Sequence, residues 1–156
     1  MVILIKNIPK ESLINDLKLK RRLAKVLRAL GRHNATITVL LTNDLEMRDL
    51  NRSFRGLDKS TNVLAFPANE EVGGPKSPPL PAPFRNFLGD IAVSLETVTR
   101  EATEIHRGDV GELLYFYLIH GILHLVGYDH ERGAADAKAQ DEETWRLMDL
   151  IPHSLG

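Results

Sequence analysis

The period of apolar and polar positions changes several times along the chain, and each change marks an element. Val2, Ile3, Leu4 and Ile5 are consecutive β-favouring apolar residues ahead of Asn7, Ile8 and Pro9, and they predict a first strand. From about Ser12 to Leu30 the pattern turns helical: Leu19, Leu23, Val26, Leu27 and Leu30 share one stripe, with Gly31 as a stop. Residues 36–42 predict a second strand. Asn43 or Asp44 can cap a helix running to about Phe54, with Glu46 as a capping-box partner for Asn43. Asn62–Phe66 reads as a short strand ended by Pro67, and Leu88–Ser94 as a fourth. Ser94 then caps a helix over about 95–107, and Asp109 starts another. In that helix residues 113–119 are apolar on every side, which places it in the core. A last helix over about 134–150 is expected to be anchored by Trp145, Leu147, Met148 and Leu150. The order β-α-β-α-β-β-α-α-α implies an α/β (α+β) fold, a mixed sheet of about four strands packed with about five helices. The pattern does not specify the strand order.

One stretch fits no element. Five of the eight prolines lie between Pro75 and Pro83, beside Gly73 and Gly74, so residues 68–86 predict an exposed proline-rich loop. At 156 residues the chain is expected to be one domain, 1–156, without internal repeats. A net charge of −1 gives no global attraction to nucleic acid or membrane, and no stretch is long enough to span a bilayer. Residues 1–6 are too short for a signal peptide, so a cytoplasmic location is the expectation. The absence of cysteine excludes thiolate nucleophiles, Cys-based zinc sites and a disulfide-linked partner. Charge concentrates in one place: Lys18, Arg21, Arg22, Lys25, Arg28 and Arg32 share the polar stripe of the first helix. The stripe is either a solvated helix face or an RNA-backbone contact.

Candidate chemistry lies in residues 120–130. His120 and His124 are one helical turn apart, Gly127 is placed to end the helix, and the chain can then return His130 towards the first two imidazoles. Half of the six histidines fall in this window. Core histidines at 120 and 124 with a solvent residue at 130 are the plainer alternative. Three imidazoles with an open position form the ligand set of a catalytic zinc site. The spacing matches the metzincin protease motif H-E-x-x-H-x-x-G-x-x-H, except that Gly121 stands where the glutamate base belongs. The metal scaffold is kept and the protease's base is not.

The window His120-Gly121-Ile122-Leu123-His124-Leu125-Val126-Gly127-Tyr128-Asp129-His130 resembles the YbeY family of bacterial endoribonucleases, the rRNA maturation factors. Residues 50–67, running from Leu50-Asn51 through Phe54-Arg55, Asp58 and Thr61-Asn62 to Phe66-Pro67, are similar to that family's second motif. Leu88-Gly89-Asp90-Ile91 is similar to its third. There are departures: Ala65 replaces a usual serine, Phe116 stands where many members carry a further histidine, and the proline-rich segment is longer than the usual connection. The resemblance implies a zincin-like fold, a bound divalent metal (usually zinc) and single-strand RNA cleavage. It implies a role in 16S rRNA 3′-end maturation and ribosome quality control, with ribosomal RNA and the small ribosomal subunit as partners. By position it makes His120, His124 and His130 the metal ligands and Arg55 a catalytic residue.

Phosphodiester hydrolysis asks for an activated water and for compensation of charge growing on phosphoryl oxygens, and a guanidinium supplies a planar donor fork for the latter. Arg55 could instead be structural, pairing with Asp58. The general base stays open: Asp129 and Glu131 are nearest in sequence, and Thr61 and Asn62 either contact substrate or fix the loop. Two other functions fit parts of the pattern. One is a ribosome-associated assembly factor with a mainly structural metal, docking through Arg21, Arg22, Lys25 and Arg28. The other is a metzincin-like metalloprotease, against which Gly121 argues.

Overall fold

A computed structural model describes residues 1–7, 15–68, 86–105, 109–128 and 133–150. Most of the proline-rich segment, and His130 with its neighbours Asp129 and Glu131, lie outside these. The elements run β1 (Val2–Asn7), α1 (Asp16–Ala29), β2 (Thr36–Thr42), α2 (Asp44–Arg55), β3 (Val63–Pro67), β4 (Phe87–Ser94), α3 (Leu95–Ile105), α4 (Val110–Leu125) and α5 (Ala134–Asp149). This is the order expected from the sequence, with four strands in one mixed sheet and five helices among the described residues.

Strand order in the sheet is β1-β2-β4-β3. β1, β2 and β4 are parallel, and β3 pairs antiparallel with β4 at the edge. Alternation sorts side chains onto two unequal faces. Ile3, Ile37, Val39, Leu41, Ile91 and Val93 point into the main core, where Leu23 and Leu27 of α1, Val98 of α3, and Leu114, Leu118 and Ile122 of α4 meet them. On the other face α2 covers only a small cluster, Met47 over Leu64 and Ala92.

Side-chain caps set the helix starts. Asn15, Asn43 and Asp109 accept from the backbone N–H three residues on, at 3.1, 2.9 and 3.0 Å. Ser94 does the same for α3, accepting from Thr97 N at 3.2 Å. One expectation fails at α5. Its inward stripe is Gln140, Thr144 and Leu147. Trp145 lies one position off that stripe and is 51% exposed, resting against Phe116 with ring centroids 5.0 Å apart, and Leu150 at the helix end is also exposed. Leu147 and Met148 are the apolar anchors.

A carboxylate joins the thin face to the rest. Asp44, at the start of α2, accepts from the hydroxyls of Ser94 (2.5 Å) and Thr97 (2.6 Å) and from Arg100 (2.8 Å). Burial pushes its pKa up, but the three hydrogen bonds and the Arg100 charge outweigh burial and hold it at about 2, against 3.8 for a free aspartate. A depressed carboxyl contributes stability that is present above its unfolded value and lost as pH falls through the folded one. We therefore expect Asp44 to contribute about 1–2 kcal/mol near neutral pH. That contribution should disappear between pH 3.8 and about 2. Asp44→Asn should lower stability at neutral pH and flatten that part of the acid limb in denaturant titrations; an unchanged limb would refute the assignment.

Candidate metal centre and substrate cleft

The apolar helix α4 carries His120 and His124 at its C-terminal end. It can lie close to the sheet there because Gly121 has no side chain: a Cβ at this position would stand 2.9 Å from Ile91 Cγ2. Gly121 is thus a packing residue as well as the position that lacks the protease's glutamate. The helix ends as expected, in a Schellman motif. Gly127 (φ +112°) donates to the His124 carbonyl at 3.2 Å, and Tyr128 donates to that of Leu123 at 3.0 Å. From the outer side, buried Gln140 of α5 donates to the His120 carbonyl at 3.0 Å, fixing the backbone of the histidine turn.

Both imidazoles line one cavity of about 810 Å³, together with Arg55, Thr61, Asn62 and Asp90. Val63, Ala65 and Ile91 line it on the histidine side. Thr38, Leu40, Phe54, Phe66 and Asp90 line it on the α2 side. A single cavity with walls on both faces of a sheet has to pass round an edge, here that of β3. Arg55 closes α2, so its side chain enters from the α2 side.

The loop before β3 is held at several points. Asn62 Oδ1 accepts from Val63 N at 2.7 Å, the Asn62 carbonyl accepts from Ser94 N at 3.0 Å, and the Asn62 side chain also bonds the Tyr117 hydroxyl. Buried Asn51 donates to the Lys59 carbonyl at 2.9 Å. Asn62 therefore fixes the loop, one of the two roles left open by the sequence. Tyr117 donates to Glu101, and burial pushes its pKa up to about 12, so it stays protonated. Asp58, the carboxylate considered for Arg55, is held by Arg48 at 2.8 and 3.1 Å.

Two of the three expected metal ligands are thus brought together on one helix, and the third lies outside the described residues. Among the described residues no three His, Asp or Glu side chains gather as a metal cage. The donor chemistry fits a borderline divalent ion: two imidazoles one turn apart, with the Nδ1 of His124 out of contact with solvent.

The basic stripe needs a correction. Arg22 turns inward, 3.2 Å from Glu112 and 3.9 Å above the Tyr115 ring, where it ties α1 to α4. Lys18, Arg21, Lys25, Arg28 and Arg32 remain exposed. Phe54, Phe66 and Thr38 also line the cavity, although the sequence pattern does not single them out for it. Thr38 could have been found, because a threonine between Ile37 and Val39 points to the face opposite the main core.

Residues 4–150 match the family model described as Endoribonuclease YbeY. The chain belongs to the YbeY family. A relative from Anaeromyxobacter sp. (strain Fw109-5), named Endoribonuclease YbeY, is 48% identical over 121 residues, 78% of this chain and 57% of the relative. Proteins of the same name from Aquifex aeolicus (39% identical; 78% of this chain, 73% of the relative) and Geobacter sulfurreducens (35%; 97% and 96%) also match. The chain spans about three fifths of the two Anaeromyxobacter relatives, 57% and 61%. The solution structure of TM1509 from Thermotoga maritima has the same fold, with a TM-score of 0.64 and 30% identity over 95% of this chain and 87% of that one. Among the described residues no helix is long and apolar enough to cross a membrane.

Proposed function

We propose that this member of the YbeY family is a metal-dependent endoribonuclease that cuts single-stranded RNA, acting in 16S rRNA 3′-end maturation and ribosome quality control in the cytoplasm. The observation that carries the reading is one cavity lined by two imidazoles a helical turn apart and by an arginine, in a chain of this family. His120, His124 and His130 would hold the metal, with zinc favoured by the imidazole donors. A bound zinc ion supplies Lewis acidity and water activation near neutral pH. Arg55 binds a phosphate of the substrate and offsets charge growing on its oxygens. The Asn62 anchors keep the loop before β3 rigid beside it, and Gln140 keeps the histidine turn in place. The exposed cations of α1 (Lys18, Arg21, Lys25 and Arg28), with Arg32 just beyond it, favour docking on rRNA of the small subunit, with Arg22 serving the fold instead.

Purified protein supplied with zinc should make internal cuts in single-stranded RNA and spare a duplex of the same sequence. Arg55→Ala should slow cutting by about 100-fold or more, the usual cost of one lost charge-stabilising donor. Failure of the zinc-loaded wild type to cut any single-stranded RNA would overturn the proposal.

A further inference from the structure

We infer that the sheet face beside α2 carries a nucleobase subsite, in which the exposed ring of Phe54, braced by Phe66, stacks an unpaired base and Asp90 accepts a hydrogen bond from its exocyclic amino group. The inference rests on the ribonuclease reading above and extends it to how the RNA strand is held.

Leu4, Thr38, Asp90 and Phe66 are direct cross-strand neighbours and form one row across all four strands. The row lies open. The buried cluster under α2 sits on the adjacent row, at Leu64 and Ala92, while Leu4 is 54% exposed and Asp90 is exposed. Phe54, in the last turn of α2, leans over the Phe66 end. Its ring centroid is 5.1 Å from that of Phe66, the planes are inclined by 58°, and the residue is 68% exposed. A single exposed phenylalanine would carry no meaning. Here two rings and a carboxylate share a cleft that continues to the histidines and to Arg55, the residue next to Phe54.

Unstacked bases of single-stranded RNA bind where aromatic faces alternate with hydrogen-bonding groups, and the stacking term is tolerant of base identity. Asp90 adds selection. The Thr38 hydroxyl donates to one of its oxygens, which leaves acceptor capacity on the carboxylate. An ionised aspartate only accepts, so it favours bases carrying an amino group, as it does the N4 amino group of cytosine, over uracil. It also repels phosphate, which orients the strand with a base over β3 and β4 and its phosphate towards Arg55.

The test is binding of labelled single-stranded oligonucleotides to the whole chain, read by fluorescence anisotropy. Phe54→Ala should weaken binding about 10-fold, and Phe54→Trp should retain it. An oligonucleotide with one abasic position should bind the wild type about 10-fold more weakly at the register that meets Phe54, and the Ala variant should show no further loss. Asp90→Asn should erase a preference for cytidine over uridine tracts. Alanine suits this exposed helical position, and an unchanged melting temperature will show that the variant is folded. Wild-type affinity in Phe54→Ala, or losses that multiply at every abasic position, would overturn the subsite. Equal wild-type binding of cytidine and uridine tracts would overturn the role of Asp90. A wild type that binds no RNA refutes the ribonuclease reading as well, whereas an intact Phe54→Ala complex beside normal cleavage refutes the subsite alone.

Discussion

His124→Ala should leave a folded protein that neither retains zinc nor cuts RNA. Loss of an outer-sphere partner of a metal ligand alone costs about 10–100-fold in metal affinity or activity. Removal of a ligand should therefore lower cleavage by more than about 100-fold. The fold should survive, because the imidazole sits at the cavity wall on a helix held mainly by Leu114, Leu118, Ile119 and Ile122. Zinc in excess should raise the melting temperature of the wild type, since a ligand at about 100 times its Kd adds roughly 2.7 kcal/mol to the folded state. The variant should show no such rise. Elemental analysis, thermal melts with zinc or chelator, and cleavage assays give three separate readouts. A variant that holds stoichiometric zinc and still cuts RNA would remove His124 from the ligand set.

The largest stability effect is expected at Gly89→Ala. Gly89 adopts φ +140°, a conformation open to glycine and strained for other residues. A Cβ there would also intrude on the carbonyl oxygen of Phe66 and stand 2.9 Å from Leu125 Cδ2 and 3.0 Å from Pro67 Cα. Two of those three atoms are backbone, so little can relax unless β3 leaves β4. A cost above about 3 kcal/mol is expected from strain and clash together. Gly127→Ala is the matched control: φ is also positive at +112°, but nothing lies within 4 Å of its added Cβ. It should cost about 1 kcal/mol, the conformational part alone. Equilibrium urea titrations of both variants separate strain from collision, and similar midpoints for the two would contradict the close approach of β3.

The elements were legible because their signals are local. Asn43, Ser94 and Asp109 each bond a backbone N–H three residues on, and the unbroken apolar run of 113–119 leaves no polar face to expose. Strand order was not legible, because parallel pairing of β1, β2 and β4 depends on contacts between distant segments. The two helical histidines could be placed from spacing alone, and His130 lies outside the described residues. Exposure was the harder property to read. Arg22 looked equivalent to its neighbours on the basic stripe, yet α4 lands beside it and supplies Glu112 and Tyr115. Trp145 looks like a core residue, but among the described residues it meets only the edge of the core, against Phe116, and stays half exposed. Periodicity identifies the faces of an element; which faces are covered is decided by the packing of other elements.

The close approach of α4 to Ile91 at Gly121 leaves no room for a side chain at that position without a shift of Ile91 or of the helix. Introducing the glutamate of the metzincins at position 121 would drive its Cβ into Ile91, so the exchange has to be matched by a smaller residue on β4 or by a retreat of the helix. A lineage or design that places a glutamate there therefore meets a destabilising first step, relieved by a smaller residue on β4 or by movement of the helix.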